Sequence, residues 1–301
     1  MREFPLVFHP IYSQLDLPVR HRFPIQKYQA IKDRLLKEGV VENRFVTPCS
    51  LTRTQLVSVL DPSYIDLLTS GALDPKAMRR IGFPWSEQLV KRTLTAAGGT
   101  VLTAELALQH GKAINLTGGY HHAFANFGSG FCMINDLYLA ALQMLQASGI
   151  DKVLIFDCDV HQGDGTAKLA ENNPRVFTVS LHGEKNFPHR KQVSDMDFPL
   201  AKGTQDDEYI ETLEQAFQLA VNVANPDAVI YDAGVDIHVD DDLGHLDIST
   251  AGVYDRDAFV FDQCDKLGLP VAAVIGGGYQ RDIDALVEVH FQLFKAAGVL
   301  S

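Results

Sequence analysis

Five short runs in this 301-residue chain are apolar and rich in β-branched residues: Lys112–Leu116, Val153–Phe156, Val176–Leu181, Ala228–Tyr231 and Val271–Ile275. A strand with one wet face alternates, whereas a strand covered on both faces reads as a continuous apolar run. Between the runs lie helical patterns, roughly Glu87–Gln109, Asn135–Ala147, Asp206–Ala224, Thr250–Lys266 and Ile283–Ala297. Asp206-Asp207-Glu208 puts acids in a first helical turn, where the dipole favours them. Gly149 and Gly268 stand where C-terminal caps belong. This alternation predicts an α/β fold with a mostly parallel central sheet between helices, residues 1–301 forming a single domain. The less regular first quarter is expected to form helices and loops around one sheet edge.

Each run leads at once into residues of the kind chemistry uses. Lys112–Leu116 leads to Thr117-Gly118-Gly119-Tyr120-His121-His122, and Val176–Leu181 ends at Ser180-Leu181-His182. Ala228–Tyr231 leads to Asp232-Ala233-Gly234-Val235-Asp236, and Val271–Ile275 to Gly276-Gly277-Gly278-Tyr279. In an open parallel sheet, ligands bind in the crevice beyond the carboxyl ends of the strands. Such loops therefore converge on one rim.

The densest of them follows Val153–Phe156 and reads Asp157-Cys158-Asp159-Val160-His161-Gln162-Gly163-Asp164-Gly165-Thr166. At a strand end, two-residue alternation puts Asp157, Asp159 and His161 on one side. Burying so much unpaired negative charge is prohibitive, so a cation is expected there. Asp159 and His161 with Asp236 would supply three protein ligands and leave a position open for water, the pattern of a catalytic zinc site. Oxygen and nitrogen donors also accept Fe²⁺ or Co²⁺. His121 and His122 can serve as acid and base if each is oriented by its own carboxylate, and Asp157 and Asp164 are the acids left over. Tyr279, after three glycines, could donate a hydrogen bond to an incipient oxyanion. Gly130-Phe131 and Phe187 are candidate tunnel walls, although an aromatic is more often core than cleft. His238-Val239-Asp240-Asp241-Asp242 reads as a solvated turn rather than a second metal site. Arg20-His21-Arg22 could bind an anion or line an exit channel, and reads equally well as plain surface.

Acidic residues outnumber basic ones 38 to 26, for a net charge of −12, which argues against nucleic acid and suits either a cationic substrate or, at least as well, solubility alone. Neither glycine-rich loop carries the G-x-G-x-x-G spacing or the lysine of a phosphate loop, which disfavours a nucleotide enzyme. Cys49, Cys132, Cys158 and Cys264 form no C-x-x-C pair and suit a reducing compartment. No signal-peptide core or membrane-length apolar run is present, so cytoplasm is the expected location, with a nucleus as the alternative.

Gly118-Gly119-Tyr120-His121-His122-Ala123, Gly130-Phe131-Cys132, Asp157–Gly165, Ala233-Gly234-Val235-Asp236 and Gly277-Gly278-Tyr279 together resemble the zinc-dependent histone deacetylase superfamily. That superfamily also holds acetylpolyamine amidohydrolases and acetoin-utilisation proteins. Tyr231–Ile237, Leu243-Gly244-His245-Leu246-Asp247-Ile248-Ser249 and Gly277-Gly278-Tyr279-Gln280 look most like its class IV branch. The resemblance runs from about His9 to Gln280 and implies a three-layer arginase/deacetylase fold with an eight-stranded parallel sheet. It implies zinc on Asp159, His161 and Asp236, His121 paired with Asp157, His122 with Asp164, and Tyr279 polarising a substrate carbonyl. It further implies structural potassium at Asp157, Asp159, His161, Ser180 and Leu181. Substrate contacts fall to Gly130, Phe131, Phe187 and Gly277. The substrate would be an acylated lysine side chain or an acylated small amine. Two departures stand out: Gly82-Phe83-Pro84-Trp85 replaces the region of the class I rim aspartate, and His21-Arg22-Phe23-Pro24 replaces a histidine-proline-glutamate motif. An arginase-type dimanganese hydrolase and a catalytically silent binding module are the rival readings.

Overall fold

The five expected strands lie side by side and make the middle of the sheet. A computed structural model of the protein describes residues 4–300. Its strands are β1 (Leu6–Val7), β2 (Phe45–Val46), β3 (Lys112–Asn115), β4 (Val153–Asp157), β5 (Val176–Gly183), β6 (Met196–Leu200), β7 (Ala228–Asp232) and β8 (Val271–Val274). Their order is β2-β1-β3-β8-β7-β4-β5-β6, every pair parallel. The three strands absent from the sequence reading are edge strands or next to one. β1 and β2 are only two residues long, and β6 is mostly half-exposed with Pro199 inside it, so none leaves a continuous apolar run.

Alternation along β4 divides its side chains between two cores. Val153 and Ile155 pack with Ala104, Leu137, Ala141 and Met144, from the helices Glu87–His110 and Asp136–Met144. Leu154 and Phe156 face the other way, toward Phe217, Phe261 and Phe291 of the helices Asp206–Ala224, Thr250–Leu267 and Ile283–Ala296. Helices thus cover both faces, which is why the central strands carry no polar alternation. The five expected helices are present within a few residues of their predicted ends. Gly268 caps its helix in the left-handed region, whereas Gly149 does not: that helix stops at Met144, and Gly149 lies in the turn beyond. Gly98 lies mid-helix, where glycine costs about 1 kcal/mol against alanine, because a Cβ there would sit 2.1 Å from the Cys49 carbonyl oxygen.

Among the described residues, no helix is long and apolar enough to cross a membrane. Cys49 is exposed and the other three cysteines are buried, all four as free thiols.

Candidate active site

β4 ends at Asp157, so strand alternation cannot be what aims Asp159 and His161. Side chain-to-backbone bonds do it instead. Asp157 Oδ1 accepts from the Asp159 amide at 3.1 Å, and Asp159 Oδ1 from the His161 amide at 3.0 Å. Each carboxylate therefore turns the chain two residues onward, as Asx turns do. Asp236, four residues past the end of β7, is anchored by its Oδ1, which accepts from the Val160 amide at 2.8 Å. The remaining donors converge: His161 Nδ1 lies 2.9 Å from Asp159 Oδ1 and 3.1 Å from Asp236 Oδ2. Asp159, His161 and Asp236 are buried, and a ligand atom of each lies within 4.8 Å of the others. Two carboxylates and one imidazole at that spacing fit a divalent ion such as zinc. Burial and then the Asp159 charge push the Asp236 carboxyl up to about 7. Burial would also raise Asp159, but His121 and His161 outweigh it and hold that carboxyl below the usual range.

His121 and His122 occupy the loop after β3 and are nearly buried. His121 Nδ1 is 2.7 Å from Asp157 Oδ2, and His122 Nδ1 is 2.7 Å from Asp164 Oδ1, the two pairings expected from sequence. Their environments separate them. Burial opposes charge on His121, yet Asp157 and Asp159 overcome it and raise the imidazole well above its ordinary value. Burial and the neighbouring His121 push His122 down to about 4. A carboxylate on each Nδ1 fixes that nitrogen as the donor, so the neutral His122 presents Nε2 as an acceptor.

Tyr279 lies beside the donor set, its ring 6.3 Å from that of His161. The turn before it is held from two sides. Gly277 N–H donates to Asp159 Oδ2 at 2.8 Å, and a Cβ on Gly277 would fall 2.1 Å from Asp236 Oδ2, so only glycine fits there. Phe131 packs against Phe23, Phe83 and Tyr279 with centroids 5.3–5.9 Å apart. Its φ of 67° is in the left-handed region, a strained conformation for a bulky residue. Phe187 is 38% exposed and lies edge-on to His122 at 4.8 Å. Gly130 sits between those two, since a Cβ on it would meet His122 Cδ2 at 2.6 Å and Phe187 at 3.1 Å. Phe187 thus walls His122, and Phe131 walls Tyr279. Ser180 pairs in register with Asp157 across β4 and β5, and Leu181 is fully buried beside it.

A sequence model of the histone deacetylase domain matches residues 21–293. The chain belongs to the histone deacetylase family. An uncharacterised protein of Picosynechococcus is 48% identical over 295 residues, 98% of each chain. Histone deacetylase 2 of Arabidopsis thaliana is 30% identical over 306 residues, 96% of this chain and 77% of its own. The acetoin utilization protein AcuC of Bacillus subtilis is 29% identical, covering 93% and 78%. A solved histone deacetylase homologue in complex with SAHA superposes with a TM-score of 0.84 at 24% identity, over 99% of this chain and 84% of that one. That similarity shows the shared fold.

Three residues of this deacetylase domain escaped the sequence reading. Lys27 is 1% exposed, and its ammonium donates to the carbonyls of Gly276 at 3.1 Å and Gly278 at 3.4 Å, bracing the turn before Tyr279. Burial lowers it to about 8 despite Asp236 and Asp241 nearby. Asp241, read as part of a solvated turn, is half-buried and accepts from the amides of Leu243, Gly244 and Tyr279. Asp232, read as a loop residue, is the last residue of β7 and fully buried; among the described residues neither carboxyl oxygen has a hydrogen-bond partner. Burial and the Asp157 charge raise its carboxyl well above the ordinary value. No local signal marks Lys27, which lies 249 residues from the glycine it holds.

Proposed function

We propose that this deacetylase domain hydrolyses the amide of an N-acyl-lysine side chain in a protein or peptide, and that it belongs to the class IV branch. Water adds to the acyl carbon, the C–N bond breaks, and the products are a carboxylic acid and the free amine. One observation carries the reading: the Asp159–His161–Asp236 donor set lies beside two histidines, each with its own carboxylate, on one rim of the sheet. We assign the ion to zinc, with Fe²⁺ or Co²⁺ as substitutes the donors would accept. When bound, such an ion supplies Lewis acidity at the carbonyl oxygen and acidifies water.

The chain's own groups do the rest. His122, neutral and accepting at Nε2, takes the proton of the attacking water and returns one to the leaving amine. His121, held as an imidazolium by Asp157, supports it. The Tyr279 hydroxyl donates to the carbonyl oxygen as charge builds there. Phe131, Phe187 and Gly130 enclose the aliphatic arm of the substrate, and Gly277 brings backbone close to it. Asp157, Asp159, His161, Ser180 and Leu181 would hold a structural potassium ion below the loop.

Similarity to AcuC keeps a small acetylated amine as the second reading. Turnover on acetyl-lysine peptide, longer acyl-lysine and acetylspermidine, with chelator and metal add-back, separates them. Chelator-sensitive release of lysine supports the first reading, release of spermidine alone supports the second, and no turnover on any of them overturns both.

A further inference from the structure

Although the chain carries a net charge of −12, the walls around the catalytic cleft carry unpaired arginines. Two cavities adjoin the cleft. One, about 670 Å³, is lined by Arg20, Arg22, Phe23 and Arg281, and Phe23 packs on Phe131 and Tyr279. The other, about 960 Å³, is lined by Arg80, Phe124, Phe127, Phe187 and Arg190. Each arginine is tied to a wall of the cleft. Arg20 and Arg22 flank His21, whose ring lies 5.8 Å from that of Phe131. The Arg80 carbonyl accepts from the Gly130 amide at 3.1 Å, and Arg190 follows Phe187 by three residues.

Among the acids in these walls, Asp242 pairs with Arg281, while Asp61 accepts from the Ser63 amide and Asp164 faces His122, so none of the three is taken up by Arg20, Arg22, Arg80 or Arg190. Lys168 is neutralised by Glu171. Arg20, Arg22, Arg80 and Arg190 are exposed, and among the described residues none forms an ion pair. In a chain with 38 acids available, four exposed guanidinium groups beside one cleft have no carboxylate partner among the described residues and are free to receive one from a ligand.

Resting on the deacylase reading, we propose that this domain selects acyl-lysine set among acidic residues, with flanking carboxylates received by Arg20 and Arg22 on one side and Arg80 and Arg190 on the other. A lysine-rich tail or a polyamine meets like charge at the same place. The stacked Phe124–Phe127 pair, with Arg80 over the Phe127 ring at 4.7 Å, adds an apolar floor for the side chains between the charges.

The test compares acetyl-lysine peptides that differ only in their flanks: glutamate, alanine or lysine on each side. Exposed pairs are individually weak, so the expected kcat/KM ratio of glutamate- to lysine-flanked peptide is about tenfold, shrinking at high salt. In Arg20→Glu/Arg190→Glu the order of the three peptides inverts. Equal or better turnover of lysine-flanked peptide or acetylspermidine overturns the proposal, as does an order that the double substitution leaves unmoved. If the alanine-flanked peptide is not hydrolysed at all, the hydrolase reading fails by itself; affinities of the same peptides by fluorescence anisotropy then decide the charge preference.

Discussion

His121 and His122 approach through their Nε2 atoms, 3.1 Å apart, while Asp157 and Asp164 hold the opposite edges of the two rings. Two adjacent imidazoles with private carboxylates end up in different protonation states, because Asp157 and Asp159 raise His121 while burial and the charge on His121 depress His122 to about 4. His122 is therefore unprotonated throughout the neutral range, with its Nε2 as the acceptor that faces the Nε2–H of His121. His122→Ala should cost about 10²–10⁴ in kcat, the usual worth of a general base. Asp164→Asn should lose less and shift the acid limb of the pH–rate profile. An alanine variant with wild-type kcat would move the base elsewhere.

Tyr279 is fixed by the hydrogen bond its backbone N–H donates to Asp241 Oδ2 at 2.7 Å, so removing only its hydroxyl should leave the turn intact. Tyr279→Phe is expected to keep its bound ion and melting temperature and lose about a hundredfold or more in kcat. Unaltered turnover would take the phenol out of the reaction.

Lys27 sets an alkaline limit. Its ammonium holds Gly276 and Gly278, and burial brings its pKa down to about 8. The brace is complete below that value and weakens as pH rises through it. Activity should accordingly fall above about pH 8, and Lys27→Arg, which stays charged, should carry the plateau higher. Superimposable profiles for the two proteins would show that Lys27 has no part in the limit.

His290 bears on stability rather than turnover. It is fully buried in the helix Ile283–Ala296, neither ring nitrogen has a hydrogen-bond partner among the described residues, and burial, with Lys27 and Arg256, pushes its pKa well below 6.5. The native ring stays neutral, whereas the unfolded ring takes a proton below about 6.5. Its contribution is thus whole above that pH and is lost on acidification, at up to about 1.4 kcal/mol per pH unit. Denaturant unfolding of wild type and His290→Leu between pH 8 and 5 should give a shallower acid slope in the variant. Parallel slopes would sink the idea.

The middle of the sheet was legible because strands covered on both faces must be apolar throughout, as every residue of β4, β7 and β8 is buried. The edge strands were not, since two residues or a half-exposed segment with a proline leave no pattern to read. The site divides the same way. His121, His122 and the residues from Asp157 to Asp164 stand in short segments whose chemistry shows in their spacing. Lys27 and Asp241 act on Tyr279 through backbone atoms, and backbone contacts leave no mark on residue type. The convergence of Asp159 and His161 was foreseen for the wrong reason: carboxylate-capped turns, rather than strand geometry, bring them together.

The blunt ends of the sheet have a consequence of their own. An intruding chain that tried to add itself beside Phe45–Val46 would find two residues to grip, and beside Met196–Leu200 it would meet Pro199, which has no amide hydrogen to offer. A parallel sheet this apolar at its centre is a hazard if it can be extended. Here both margins discourage templated fibril growth, so the hydrophobic interior can be built without regard to what lies outside it.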